Sequence, residues 1–435
     1  MSLHVLRTLF RGYLFWPLIM VALSLVLAAF AAHGDDHFAA QDEIADALNV
    51  LRLSNDDARA VLSTVAGSAI TILSLVYSMT LVVFTLAASS LGNRIIRTFG
   101  DNRLGQITAG LLAGTFVFAL ATLYLAPPDK PPLISTALAV VLAIVSVVLL
   151  ISFVNNVAHR IQIDNELARI QRMLSHSIVD MAARLNQSAA ADGHQGANEG
   201  LPNAQTWKSP KTGYITALEF EALTISMQRM DAMLILGSKT GDFVLKDEPL
   251  GTVRTAGDPT KAAQLLETKA GRYIDIRDAR APESDVKFNV HLIVEIALRA
   301  LSPGINDSFT AIAAIDQLSA SLVTLMQTTT SQARLRDEEG RVRVVADLLS
   351  VRDIVGSAIH PIRRAAADNV LVMIALAQAL NRLAKHSNAA HGRILRKHIR
   401  LSVSSARGCL DERADRDEVA ELLWEAWRTT KRLPL

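Results

Sequence analysis

The chain has 435 residues, 50% of them hydrophobic, and a formal net charge of +2, too small an excess to argue for a nucleic-acid partner. Its one cysteine, Cys409, excludes an intramolecular disulfide and any Cys-rich metal site. Most of the Asp, Glu, Lys and Arg follow Val154 and the long apolar runs precede it, so the sequence reads as a membrane part followed by a soluble part.

Four apolar runs are long enough to cross a bilayer as helices: Tyr13 to Ala32, Leu62 to Ala88, Ile107 to Ala126 and Leu133 to Val154. The first follows Arg7 and Arg11 and ends near Ala29-Phe30-Ala31, in the manner of a secretory signal. Its length and the three later runs favour an uncleaved anchor. Arg7, Arg11, Arg94, Arg97, Arg103, Arg160, Arg169 and Arg172 flank one side of the spans and only Arg52, Arg59 and Lys130 the other, which predicts both termini cytoplasmic. The connection of residues 127–132, with its four prolines, predicts a tight hairpin between the third and fourth spans.

The second run carries hydroxyls and one glycine at helical spacing: Thr64, Gly67, Ser68, Thr71, Ser74, Ser78, Thr85 and Ser89. At about 100° per residue they share roughly a third of the helix surface. Such a face belongs against protein or water rather than lipid. Lining a pathway is one reading. Close packing is the other, because Gly67 with Thr71 and Gly110 with Gly114 supply small residues at four-residue spacing on the second and third spans. No Asp, Glu, Lys or Arg stands at mid-depth, which disfavours a charge-coupled pump.

Between the first two spans, His33, Asp35, Asp36 and His37 are weak candidates for metal ligands. A solvated acidic loop explains them better, because the spacing does not meet that of closed metal sites. No cofactor is implied.

Beyond the spans, residues 156–185 read as a helical stalk continuing the fourth span, and residues 186–205 as a flexible linker rich in Ala, Gly and Asn. Residues 206–280 have the character of a small β-module of short antiparallel strands, at Gly213-Tyr-Ile-Thr-Ala-Leu218, Ala232-Met-Leu-Ile-Leu236, Gly241-Asp-Phe-Val-Leu245 and Pro249-Leu-Gly-Thr-Val253. Residues 281–435 read as a mainly helical domain, with an edge strand near Arg341 to Val345 and a helix from Asp353 to Arg364 broken at His360-Pro361. The fold class expected is thus a four-span helical membrane domain (residues 1–155) followed by a soluble α+β cytoplasmic domain.

The most distinctive stretch runs from Val286 to Leu325. It holds His291, Glu295 and Arg299 on one helical face, then Ser302-Pro303-Gly304, with Asn306 or Asp307 capping the next helix. A surface pair of Glu295 with Arg299, a buried ion pair, and an anion site using Arg299 and the amides after Asp307 are the three readings. No phosphate-binding loop, zinc-protease motif or nucleophile elbow is present to indicate an enzyme.

Three stretches, Leu62-Ser-Thr-Val-Ala-Gly-Ser-Ala-Ile-Thr71, Arg94-Ile-Ile-Arg97-Thr-Phe99 and Val294-Glu-Ile-Ala-Leu-Arg-Ala-Leu-Ser-Pro-Gly-Ile-Asn-Asp307, resemble the bacterial membrane-protein family known as domain of unknown function 2254. Asn93 and Ser308 depart from it, each standing where Pro is usual. The resemblance implies an integral membrane protein with a cytoplasmic domain and brings no substrate. The functional expectation is a homo-oligomeric, channel-like protein passing an unknown ion or small solute through the bilayer. A membrane-anchored signalling or scaffold protein is the alternative, and a membrane-bound enzyme the third.

Overall fold

The computed structural model of the protein describes residues 15–38, 54–91, 103–127, 131–160, 163–190, 203–280, 285–328, 332–348 and 350–432. The matching stretch Arg94 to Phe99 lies outside them, as does most of the expected linker. The chain forms two compact units, Met1–Gln162 and Ile163–Leu435.

The first unit holds α1 (Phe15–Phe38), α2 (Asn55–Leu91), α3 (Arg103–Leu125) and α4 (Leu133–Arg160). Helix α3 packs against the other three. Gly110 and Gly114 make this possible by admitting α1: a Cβ on Gly110 would lie 3.0 Å from Pro17 Cα and 2.8 Å from Met20 Sδ. The small pair on the third span therefore serves α1, which corrects the expectation that it meets Gly67 and Thr71 of the second. Phe118, Ala119, Leu62, Ala66, Ala28 and Ala139 fill one layer of the interior, and Leu112, Val76, Val83 and Phe153 a second. The outside is apolar instead of charged, with Leu23, Phe30, Leu75, Leu81 and Ile151 all exposed, as befits a surface solvated by lipid.

Two charged side chains join helix ends in this unit. The carboxylate of Asp35, at the end of α1, accepts hydrogen bonds from the amides of Ile134 (2.7 Å) and Ser135 (3.3 Å), so it caps α4 from another helix. The guanidinium of Arg59 on α2 donates to the carbonyls of Ala126 (3.1 Å) and Pro127 (3.3 Å) just after α3. Acid meets a helix N-terminus and base a helix C-terminus, each the favourable sign for the backbone dipoles.

The second unit begins with α5 (Ile163–Ala190), so residues 186–190 are helical rather than linker, and β1 starts at Asn203. Its strands are β1 (Asn203–Lys208), β2 (Gly213–Leu218), β3 (Ala232–Leu236), β4 (Phe243–Val244), β5 (Pro249–Thr255), β6 (Ile274–Arg277), β7 (Gln332–Arg336) and β8 (Val342–Asp347). Helix α6 (Phe220–Arg229) follows β2, and α7 (Pro259–Thr268), with Asp258 as N-cap and Pro at its first position, follows β5.

The strands form a five-stranded sheet, β1-β5-β3-β8-β7, and a three-stranded one, β4-β2-β6, around Trp207, Leu234, Val253, Leu266 and Val344. Two expectations fail here. The module is not confined to residues 206–280, because β8 pairs with β3 in parallel, Leu234 against Val344. Nor is β8 an edge strand; β7 takes that place.

The helical remainder comprises α8 (Val286–Ala300), α9 (Ser308–Met326), α10 (Val351–Ala365), α11 (Val370–Lys385), α12 (Ala389–Cys409) and α13 (Arg413–Lys431). Asp285, Asp307, Ser350, Asn369 and Asn388 cap α8 to α12, each accepting from an amide of the first turn. Helix α10 continues through Pro361 where a break was expected, its buried stripe of Ile354, Val355, Ala358, Ile359 and Ile362 holding both halves in line. Cys409 is exposed.

Among the described residues five helices, not four, are long and apolar enough to cross a membrane: α1 to α4 and α9. Half of α9 is buried, and it packs on α5, α8 and α11 within the second unit.

Candidate functional site

The polar stripe of α2 points away from its own bundle. Ala58, Leu62, Ala66, Ala69, Val76 and Val83 are the buried positions of α2, whereas Thr64, Gly67, Ser68, Thr71, Ser74, Ser78 and Thr85 are exposed. At about 100° per residue the two sets face nearly opposite directions. A Cβ on Gly67 would meet nothing within 4 Å. Leu75 and Val82 fall in the same exposed sector, so the polar character is unbroken only from Thr64 to Ser74.

Most of these hydroxyls already donate to their own helix. Thr64 bonds the carbonyl of Ala60 (2.8 Å), Thr71 that of Gly67 (2.7 Å), Ser74 that of Ile70 (3.0 Å) and Thr85 that of Leu81 (2.9 Å). What they turn outward is oxygen lone pairs. Beside the stripe, Thr64 and Ser68 border a groove of about 160 Å3 between α2, α3 and α4. Thr115 and Ser146 share a hydrogen bond of 3.2 Å at its floor, with Leu112 and Leu150 around them.

Of the weak metal candidates, Asp35 caps α4, His33 is exposed, and the side chains of Asp36 and His37 lie outside those described. Among the described residues no three His, Cys, Asp or Glu side chains are grouped to hold a metal ion.

In the second unit the residues His291, Glu295, Arg299, Asn306 and Asp307 are engaged in different ways. Glu295 and Arg299 form an i,i+4 pair at 3.6 Å, with side chains 26% and 34% exposed, which is neither a fully solvated nor a buried pair. Asn306 takes a left-handed backbone, φ +49°, to turn the chain into α9. The Asp307 carboxylate receives the Thr310 amide (3.0 Å) and hydroxyl (2.6 Å), and these bonds hold it below the usual carboxylate range. It therefore fills the place at the start of α9 that an anion would take.

His291 instead lines a cavity of about 110 Å3 with three side chains that the sequence did not single out, Lys239, Arg280 and Lys287. Ser350 and Asp353, at the start of α10, close it on another side. Arg280 is held by two bonds to Asp285 (2.7 and 2.9 Å) and lies over the Phe288 ring, 5.3 Å from its centre. Burial pushes the Asp285 carboxyl above its ordinary value, against the pull of Arg280. A larger cavity of about 290 Å3 shares Lys239 and Thr240 with the first. It lies at the carboxyl ends of the parallel strands β3 and β8, where ligands of α/β sheets are commonly received. The signal in the sequence was Gly237-Ser-Lys-Thr-Gly-Asp242, a run of turn residues around one lysine.

Comparison with known proteins adds a family and no chemistry. Uncharacterised proteins of Mycobacterium tuberculosis and Mycobacterium bovis are 28% identical over 385 residues, which cover 86% of this chain and 72% of theirs. No solved structure matches the chain. The family profile described as predicted membrane protein (DUF2254) matches residues 11–382, and the chain belongs to that family of membrane proteins.

Proposed function

We propose that the protein acts as a homo-oligomer in the bacterial inner membrane, with the α2 faces of neighbouring copies lining a path for a small cation. The observation that carries this reading is that the hydroxyl face of α2 lies opposite its packed face, uncovered by the described residues of its own unit. A second copy of the chain, presenting the same face, would remove that face from lipid. Oxygen lone pairs turned outward suit a cation or a hydrogen-bond donor better than an anion. The absence of Asp, Glu, Lys and Arg from residues 61–91 favours passive movement. In this reading α1 to α4 are the spans, both termini are cytoplasmic, α9 is a core helix of the second unit, and that unit is regulatory.

A membrane-anchored scaffold is the second reading, and the hydroxyl bonds within α2 favour it, because they lower the cost of leaving the stripe against lipid. The two separate by cysteine accessibility. Single cysteines at Thr64, Ser68, Thr71, Ser74 and Ser78, in a Cys409→Ser background, are exposed to a membrane-impermeant thiol reagent in intact membranes. Ala66 serves as the packed control and Leu81 as the lipid-facing one. Labelling at the stripe positions but at neither control is expected for a path. Labelling confined to the helix ends overturns it and leaves the anchor.

A further inference from the structure

We propose that the second unit binds a phosphorylated sugar or polyol, its phosphoryl group between Lys239, Lys287 and His291 and its hydroxyl-bearing body in the larger cavity across Lys239. This site is independent of whether α2 lines a path.

The loop that carries Lys239 is built to hold one shape. It leaves the carboxyl end of β3, and the amides of Gly237 and Ser238 bond the Leu250 carbonyl at 2.9 and 3.1 Å. The Asp242 carboxylate accepts the Lys239 amide at 3.0 Å, and the Gly241 amide bonds Ile215 at 2.8 Å. Gly241 sits at φ +94°, where a Cβ would lie 2.5 Å from Asp285 Oδ2 and 2.9 Å from Arg280 Nη2. Only glycine fits there. The loop is thus braced against the Arg280–Asp285 pair that forms the wall of the smaller cavity.

So placed, Lys239 borders both cavities, and its ammonium has no carboxylate partner within ion-pair distance among the described residues. Lys287 and Ser350 add a second ammonium and a hydroxyl, while Arg280 lines the cavity with its charge compensated by Asp285. Two carboxylates, Asp242 and Asp353, also line this cavity. Asp242 accepts the Lys239 amide and keeps its charge, so Asp242 and Asp353 both stand against the cations, and the place for an anion is on the side of Lys239, Lys287 and His291. Cations that converge on a space of about 110 Å3 suit a compact oxyanion such as a phosphoryl group.

The larger cavity has a different chemistry. Asp180, Glu219 and Asp347 bring carboxylates, Ser177 and Ser238 hydroxyls, and Phe220 a ring. Acceptors beside an aromatic surface recognise neutral hydroxyl groups, and they repel a second anion. The pair of cavities therefore discriminates in favour of a ligand with its charge at one end.

The test is calorimetric titration of the purified full-length protein in detergent with glucose 6-phosphate, glucose and inorganic phosphate, repeated for Lys239→Met, Lys287→Met and Lys239→Arg. Saturable binding of glucose 6-phosphate is expected. It should weaken about tenfold in each methionine variant, the scale of one lost hydrogen bond to a charged group, with partial recovery in Lys239→Arg. Lys287 is exposed, so its replacement leaves the fold intact and keeps the test informative even where Lys239→Met unfolds. No binding of glucose 6-phosphate, or binding indifferent to both lysines, overturns the site. Inorganic phosphate binding as tightly as the sugar phosphate overturns the part assigned to the larger cavity.

Discussion

The imidazole rings of His360 and His398 lie with centres 4.6 Å apart and planes tilted by 48° in the seam between α10 and α12. His398 is 2% exposed, and the Nδ1 atoms of both rings are buried without a hydrogen-bond partner. The charged groups that act on the pair are Arg363, Arg364 and Lys397, all cationic. Burial first, then the neighbouring His360 ring, Lys397 and Arg363, push His398 down to about 4, and burial with Arg363, Lys397 and Arg364 lowers His360.

A depressed histidine is neutral in the fold and protonated in the unfolded chain between its two pKa values. Stability of the second unit should therefore fall as pH drops from about 6.5 towards 4, by on the order of 3 kcal/mol for His398. Urea unfolding followed by the fluorescence of Trp207, Trp424 and Trp427 measures it. His398→Leu should flatten the profile. An unchanged slope in that variant would mean that other groups set the acid sensitivity.

Arg343, on the interior strand β8 of the five-stranded sheet, has its side chain 4% exposed and is bonded to Asp337 (2.6 Å) and Asp231 (2.9 Å). Burial raises the Asp337 carboxyl, but the bonds from Arg343 and from the amides of Arg341 and Glu339 prevail and hold it below its usual value. Arg343→Met leaves that carboxylate without its buried partner. A loss of about 3 to 5 kcal/mol is expected in chemical unfolding. In Asp337→Asn the Arg343 guanidinium keeps Asp231, so the loss should be smaller.

At the outer ends of the first unit, Asp35→Asn and Arg59→Gln each remove a charge from a helix terminus. Each should cost about 1 kcal/mol, read as a lower melting temperature in detergent, and the two should add because they cap different helices.

Glycines in the first unit should respond in opposite ways. Gly110→Val forces a side chain into the Pro17 backbone and should loosen α1 from α3 at a cost of about 1 to 3 kcal/mol. Gly67→Ala meets no atom and should stabilise an isolated copy by about 0.5 to 1 kcal/mol through helix propensity. Should Gly67→Leu leave the size of the purified assembly unchanged in light scattering, the α2 face is not where copies meet.

The helices of the first unit were legible because long apolar runs leave a chain few alternatives in lipid. Their ends were not: α1 runs on to Phe38 and α4 to Arg160, since a helix continues past the hydrocarbon until something caps or breaks it. The stripe on α2 was legible as a stripe, but one helix's periodicity does not say which neighbour takes the opposite face. In the second unit β2, β3, β4, β5 and β8 could be read locally, but β1, β6 and β7 could not, nor could the pairing. The β3–β8 pairing joins segments far apart in sequence, and it buries Arg343 in a strand whose charges suggested an edge. Helix α10 kept its Pro361 because tertiary packing outweighed a local signal. Lys239 stands in the sequence among turn residues alone, and the convergence of its loop with Arg280, Lys287 and His291 exists only after folding.

The parallel pairing of β3 with β8 also sets an order of events during synthesis. Arg343 donates to the carbonyl of Ala232, 111 residues earlier in the chain. Until β8 has left the ribosome, β3 has a free edge and the five-stranded sheet is incomplete. The apolar helices of the first unit emerge well before then and can enter the bilayer on their own. A chain cut between β3 and β8 would thus be anchored yet carry an unpaired strand, and such a fragment should be cleared by proteases or aggregate at the membrane surface.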